Sequence, residues 1–421
     1  MERYAIIGFG SAGYNALKAI RESGDDARVD IYSDTVYPPY NPMLTTYYIK
    51  GKIPYEAMFP FGSLQDIRER YECNVITESP VVSFDAEKKT VTLADGRVNS
   101  YDKVLIATGA VPVKLPVGDL PADRIFTMRT VDDARRLKEV LDQGKTRKIL
   151  VVGASWVGIK VVEIAWTLGI ECVLSDLAPH IFVASAFEAA SEKCEEYLRG
   201  ENIDLRFGVK TEECKLENGQ CHIHFSDGSE TFVDLVVMCV GIRANMSFVK
   251  PDQLMAGRAI TVDNNMCTSV PDVYAAGDVA EGTDLITGEK RNIGLWANSA
   301  AQGYCAGRAM AGRPKPLEGN ILHNITHFLN YNFVSFGDKN GPGERRVLLD
   351  KGDRYIEALI HDDKIYCINI VSEFEMSGVV KNCIMKYFRK NAEPLNELEI
   401  GVLARSGYPN ELIRILGGMI Q

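Results

Sequence analysis

The sequence predicts an α/β chain: two doubly wound units of parallel sheet followed by a C-terminal α+β domain. Three observations carry this. Residues 4–7, Tyr-Ala-Ile-Ile, form an apolar strand that runs into Gly8-Phe9-Gly10-Ser11-Ala12-Gly13 and an amphipathic helix to about Glu22. A second strand over 29–32 then ends at Ser33 and Asp34. Residues 148–152 repeat that grammar, with Gly153-Ala154-Ser155-Trp156-Val157-Gly158, a helix to Leu168 and a strand ending at Asp176. From about residue 318 the pattern changes to closely spaced strands and then helices.

The remaining elements follow in order. Residues 103–109 read as a buried strand and turn, and the prolines and glycines of 111–121 as a crossing between units. A charged helix over 186–199 precedes alternating strands at 203–207, 221–225 and 235–240. Gly241-Ile242-Arg243 resembles a second crossing, followed by a buried strand over 273–278 and a helix over 294–312. Strands at 333–336, 346–349, 355–361 and 364–371 lead to a helix over 378–390. The tail from 395 to 421 places Leu398, Val402, Leu403, Leu412, Ile413, Leu416 and Ile420 at helical spacing, which predicts packing against the body, the alternative being a partner. These readings divide the chain into a discontinuous first unit, 1–113 with 244–317, an inserted unit, 114–243, and a last domain, 318–421.

Composition narrows the partners. The chain has 421 residues, 46% hydrophobic and 25% charged, with 47 Lys plus Arg against 57 Asp plus Glu, or 47 − 57 = −10. With a pI near 5.3, its surface repels nucleic acid and anionic membrane, so neither is expected as a partner. The N-terminus lacks the basic start and long apolar run of a signal peptide, and the apolar stretch 149–174 is broken by Lys160 and Glu163. No membrane insertion and a cytoplasmic location are therefore expected. Ten cysteines stand singly, with no CxxC, and read as reduced, mostly buried thiols. His323 and His327 stand four apart near a strand with no third ligand, and Cys221-His222-Ile223-His224 reads as alternating strand positions. No metal site is predicted.

The glycine spacing has a mechanical reason. Gly8 makes a tight turn, Gly10 admits a pyrophosphate, and Gly13 lets helix and strand approach, so that phosphate charge meets unpaired N–H groups. Ser155 stands where the second loop would usually carry a glycine. Asp176 is placed to accept hydrogen bonds from an adenosine ribose. An acid there with no adjacent arginine favours NAD over NADP. Two such segments predict two dinucleotides.

Four motifs now stand in order: Gly8 to Gly13, Ala107-Thr108-Gly109, Gly153 to Gly158, and Ala275-Ala276-Gly277-Asp278. With Phe126 to Asp133, they resemble the FAD- and NAD(P)-linked pyridine nucleotide-disulfide oxidoreductase superfamily. The branch they resemble contains rubredoxin and ferredoxin reductases, nitrite-reductase flavin domains and NADH oxidases. The resemblance implies two Rossmann-like domains, one for FAD and one for NAD(H). By it, Gly8, Gly10, Ser11, Ala12 and Gly13 hold the FAD pyrophosphate, Ser33 or Asp34 its ribose, and Asp278 its ribitol chain. Pro42, Ala107, Thr108, Gly109, Arg129 and Gly277 belong to the same site. Trp296 and Ala297 open a helix aimed at the flavin N1–C2 carbonyl edge. Gly153, Ser155, Gly158, Asp176 and Gly241 fall to NAD.

The departures also inform. Disulfide reductases of this superfamily carry a redox cysteine pair beside the flavin; residues 40–48 contain no cysteine. Thr46 stands where ferredoxin reductases often place a lysine, and Lys160 where they often place a glutamate. Lys160 is therefore expected near the flavin N5 side or the nicotinamide pocket, the alternative being a solvated helix lysine. Trp156 is expected to take the place of an aromatic that stacks over the flavin, the alternative being a core tryptophan. The activity implied is electron transfer between NADH and an external redox partner, without a cysteine relay. That partner is an iron–sulfur or rubredoxin-like protein or a partner subunit, within a homodimer or hetero-oligomer. An NADH oxidase or small-molecule flavin reductase, and an NADH-responsive docking module, are the alternatives.

Overall fold

A computed structural model describes residues 1–118, 120–250, 252–372, 375–389 and 395–417. The apolar strands expected at the start of each glycine turn lie at the centres of two parallel five-stranded sheets. The first has the order Val273–Ala275, Lys103–Ile106, Arg3–Ile7, Arg28–Tyr32, Asn74–Ile76. The second has the order Asp204–Phe207, Glu171–Asp176, Lys148–Val152, Leu235–Met238, Ile125–Thr127. Parallel strands covered on both faces need continuous apolar runs, which Arg3–Ile7 and Lys148–Val152 supply after their first residue. Each sheet has a three-stranded antiparallel companion. One is built from Val81–Asp85, Thr90–Leu93 and Val98–Ser100, the other from Thr211–Glu217, Gln220–Phe225 and Glu230–Val233. Sequence patterning predicted only the middle strand of the latter, because Thr211–Glu217 is mostly charged and lies at an edge.

The chain passes between the two sheets twice, and the passages pair: Ile242–Ala244 runs antiparallel to Ala110–Pro112. Helix Ser11–Glu22 packs lengthwise on helix Trp296–Met310. Gly303 and Gly307 make this approach possible, since a Cβ at either would run into the backbone of Ala12 or Ala16. The two helices therefore present their N-termini together.

The last domain is a five-stranded antiparallel sheet ordered His323–Phe328, Tyr331–Gly337, Lys364–Val371, Arg354–His361, Glu344–Lys351. Its first strand escaped the sequence reading because HNITHF has little apolar content. Helices Ser377–Phe388, Glu397–Arg405 and Asn410–Gly417 cover one face, burying Val380, Ile384, Leu403, Leu412 and Leu416 against Phe336, Ile356 and Ile368. The expected tail packing thus holds for Leu403, Leu412, Ile413 and Leu416; Leu398 faces solvent, and Ile420 lies outside the described residues. Phe328, Tyr331, Phe333 and Tyr355 join the core beneath the second parallel sheet. Among the described residues, no helix is long and apolar enough to cross a membrane.

Candidate functional site

The first glycine loop is tight where it meets protein and open where it does not. Gly8 has φ +100°, and a Cβ there would strike the Ala107 carbonyl; a Cβ on Gly13 would strike Gly8. Gly10, by contrast, has nothing within 4 Å of its Cβ position. It caps helix Ser11–Glu22 with no side-chain hydrogen bond, leaving first-turn N–H groups free for an anion. Helix Trp296–Met310 begins equally bare at Leu295. Ser11 Oγ donates to the Trp296 carbonyl at 3.5 Å, so the two uncapped ends are neighbours.

Around them the structure gathers most of the predicted cofactor residues. Ala107 N donates to Ile7 O at 2.8 Å, and Thr108 Oγ1 to Asn245 O at 2.6 Å. Gly109 lies beside the Arg129 guanidinium. Arg129 Nη2 bonds Asp278 Oδ2 at 2.6 Å, and Ser299 Oγ donates to Oδ1 at 3.2 Å. Asp133 fixes the Arg129 backbone N–H at 3.0 Å while closing a capping box with Thr130. Gly277 sits over Ala12, Trp296 stacks beside Phe61 at 6.1 Å, and Ala297 is exposed one residue on. The Trp296 Nε1 is buried with no hydrogen-bond partner among the described residues. An orphaned indole N–H and two bare helix ends are unsatisfied donors that a dinucleotide, with phosphates and a ring-edge acceptor, fits.

The second loop has the same skeleton and a different ending. Gly153, φ +108°, packs on Cys239, and Gly158 on Gly153. Ser155 Oγ accepts from Gly158 N at 3.2 Å and donates to Cys239 O at 3.0 Å, capping helix Trp156–Thr167 from within. Asp176 accepts from Ala154 N at 2.6 Å and Ala178 N at 2.8 Å. One equivalence settles a sequence ambiguity in register. Gly8 N donates to Tyr32 O at 2.8 Å, and Gly153 N to Ser175 O at 2.7 Å. Tyr32 thus corresponds to Ser175, and Ser33, which is buried, to Asp176; Asp34 is the next residue and exposed. Gly241, φ +105°, stands apart in the passage between the sheets, its carbonyl accepting from Val113 N at 3.0 Å.

The predicted catalytic residues separate. Lys160 is not solvated: its side chain is 15% exposed, its ammonium donates to His327 O at 2.6 Å, and it pairs with Glu163. Glu163 also binds Lys50 at 3.0 Å, with those side chains 7% and 3% exposed. Tyr47 lies under both cations, 4.6 Å from Lys50 and 5.8 Å from Lys160, and its hydroxyl meets His327 Nε2 at 3.0 Å. Burial pulls the Lys160 amine below the usual lysine range, and burial with the Lys160 charge pulls His327 down. With His327 neutral, the cluster holds two cations and one anion. Sequence reasoning missed Lys50, Tyr47, Glu163 and His327. Only Glu163, the lone acid inside an apolar helix, carried a local signal.

Thr46 is buried and its hydroxyl turns back to Met43 O at 3.4 Å. Pro42 opens the short turn Pro42–Leu44 just before it. Trp156 is half-buried and packs its ring with Phe182 at 4.4 Å and Phe333 at 5.4 Å. The ring is drawn there because the C-terminal sheet supplies an aromatic face. His323 and His327 lie on a strand with separate partners, His323 between Ile321 O and Lys381 Nζ at 3.0 Å each. All ten cysteines are free. Burial raises their pKa values, Cys239 beside the second loop to about 12, so none is a ready thiolate.

Comparison with known proteins places this architecture. An NADH-dependent phenylglyoxylate dehydrogenase subunit epsilon from Aromatoleum evansii is 25% identical over 399 residues, 93% of both chains. An NADH-rubredoxin oxidoreductase from Clostridium acetobutylicum is 27% identical over 386 residues, 90% of this chain and 93% of that one. Among solved structures, the water-forming NADH oxidase from Lactobacillus brevis, bound to NADH, superposes with a TM-score of 0.85 at 22% identity, covering 91% of each chain. The family model for pyridine nucleotide-disulphide oxidoreductases matches residues 2–303. The paired glycine loops, the duplicated sheets and this match together make the chain a member of the pyridine nucleotide-disulphide oxidoreductase family.

Proposed function

We propose that this protein is an FAD-dependent NADH:acceptor oxidoreductase whose acceptor is carried by a separate redox protein or partner subunit. One observation carries the reading: two uncapped helix N-termini converge beside the Arg129–Asp278 pair and the orphaned Trp296 Nε1. FAD bound there supplies hydride acceptance from NADH and stepwise electron release. Gly8 and Gly13 shape the turn, the N–H groups after Gly10 take the pyrophosphate, and Ser33 takes the ribose. Arg129 and Ser299 hold the Asp278 carboxylate in position for the ribitol hydroxyls. The helix end at Trp296 offers partial positive charge to the ring edge.

NADH occupies the second loop, with Asp176 for its adenosine ribose. No lysine or arginine follows Asp176 before Glu188, which favours NADH over NADPH. Residues 1–113 with 244–317 form the flavin domain and 114–243 the nicotinamide domain, with 318–421 covering them. Lys160, in its net-positive buried cluster, supplies the positive charge on the reacting side that Thr46 does not. The thiols lack an exposed, low-pKa member, so electrons leave the flavin directly to the acceptor. Relatives named for rubredoxin reduction and for a dehydrogenase subunit support a protein-borne acceptor. The cytoplasm, where ten unpaired thiols stay reduced, is the compartment that suits the chain.

Anaerobic stopped-flow spectroscopy tests this. Purified protein should be yellow, bleach on NADH addition, reoxidise slowly in air and rapidly with a rubredoxin-type or iron–sulfur acceptor. Colourless protein that takes up no FAD refutes the flavin site; air reoxidation as fast as that by protein acceptors refutes the carrier reading.

A further inference from the structure

Away from both glycine loops, the antiparallel sheet of the second unit carries a cluster with no place in hydride transfer. Strand Gln220–Phe225 turns Cys221, Ile223 and Phe225 into the core. His222 and His224 therefore share its outer face, two residues apart. Glu230, opening strand Glu230–Val233, is the cross-strand partner of His224. The imidazoles lie 4.2 Å apart, centroid to centroid. Glu230 Oε2 lies 3.0 Å from His222 Nε2 and 3.7 Å from His224 Nδ1, and one ligand atom from each residue lies within 4.8 Å of the others. We propose that His222, His224 and Glu230 bind a single divalent transition-metal ion of the zinc type.

The surroundings of His222 argue for this. Its side chain is 11% exposed, and Phe232 stacks on its ring at 4.1 Å and 12°, so the ring cannot swing away. Its Nδ1 lies 3.1 Å from Glu217 Oε2. Its Nε2 meets the Glu230 oxygen at 3.0 Å, with the His224 Nδ1 close by. A divalent cation can take the place of the proton shared between this ring and the carboxylate, with the His224 nitrogen as a third ligand. Lys215, paired across the sheet from His222, is drawn off by Glu213 at 2.8 Å. Two imidazoles and one carboxylate select zinc, copper or nickel over magnesium or calcium. Glu230 is 56% exposed, so water can complete the coordination. The metal would pin the two strands of this hairpin on the face opposite their core.

The test uses untagged, FAD-loaded protein stripped with chelator. Calorimetric titration with zinc sulfate should give one saturable site, and one equivalent of copper(II) should show nitrogen hyperfine coupling in its electron paramagnetic resonance spectrum. His224→Ala with Glu230→Ala should abolish both signals. NADH oxidation should be unchanged in this double variant, as should zinc binding by the control His361→Ala. Equal zinc uptake by wild type and the double variant, as binding to the thiols would give, overturns the proposal, as does failure of wild type to bind.

Discussion

The Lys50–Glu163–Lys160 cluster makes a prediction in which the two obvious mutations should differ sharply. All three side chains are at most 15% exposed, and no carboxylate other than Glu163 pairs with either lysine among the described residues. Glu163→Gln leaves two buried ammonium groups with no counter-charge, and stranding a buried charge costs about 3–5 kcal/mol. Lys50→Met removes the most buried charge of the three, yet it leaves Lys160 and Glu163 as a neutral pair. Its cost is the lost contact with the Tyr47 ring, about 0.5–2 kcal/mol. At about 2 °C or more per kcal/mol, Glu163→Gln should lower the melting transition by about 6 °C or more, and Lys50→Met by clearly less. Calorimetry of the FAD-loaded protein measures this, and hydrogen exchange in Trp156–Thr167 and His323–Phe328 localises it. The pH dependence has a fixed sign. Burial already lowers the Lys160 pKa. In Glu163→Gln that depression deepens, so the unfolded chain binds more protons than the folded one up to the ordinary lysine range. The deficit should therefore shrink as pH rises towards 10. Equal losses in the two variants, or a deficit that grows with pH, would refute the charge accounting.

Other outcomes follow from the same structure. Gly10→Val meets open space and should fold with a native circular dichroism spectrum while losing bound FAD, measured by absorbance per chain. Gly303→Val, which drives a side chain into the Ala12 backbone, should instead lower stability by about 3 kcal/mol or more, read from denaturant unfolding. Lys160→Met should slow NADH bleaching about 10-fold or more in stopped flow while leaving FAD stoichiometry intact. His323, whose pKa burial lowers to about 4, is neutral when folded. Wild type should therefore lose about 2 kcal/mol between pH 7.5 and pH 5, as the unfolded histidine protonates first, and His323→Gln should lack that component in pH-resolved melts.

What the sequence disclosed and what it withheld divide along a physical line. The glycine loops were readable because their spacing is local: Gly13 packs on Gly8 five residues before it, and the strand leading into the loop is apolar after its first residue. Arg129 entered through the family resemblance, and the structure adds the capping box of Thr130 and Asp133 that holds its backbone. The Lys160 cluster was not readable, since Lys50, Glu163 and His327 come from three distant segments and meet only when the C-terminal sheet closes over the second unit. Trp156 likewise gives no local sign of its neighbours. Its ring partners Phe182 and Phe333 come from segments far along the chain. Strands poor in apolar residues, Thr211–Glu217 and His323–Phe328, were invisible to apolar periodicity because each lies at a sheet edge and fully buries few of its side chains.

The duplication sharpens the contrast between the two cradles. Both use a glycine at positive φ to bring strand and loop together, and both close with a glycine packed on the first. At the second position they part. Gly10 leaves its helix end without an acceptor from the protein, and the neighbouring helix at Leu295 does the same. Ser155 and Asp176 instead satisfy the second loop internally. A loop whose donors meet only water exchanges those bonds for ligand bonds and gives up no protein contact. A loop already satisfied trades protein bonds for ligand bonds and gains less. The first arrangement suits a resident group, and the second a ligand that must leave on every turnover.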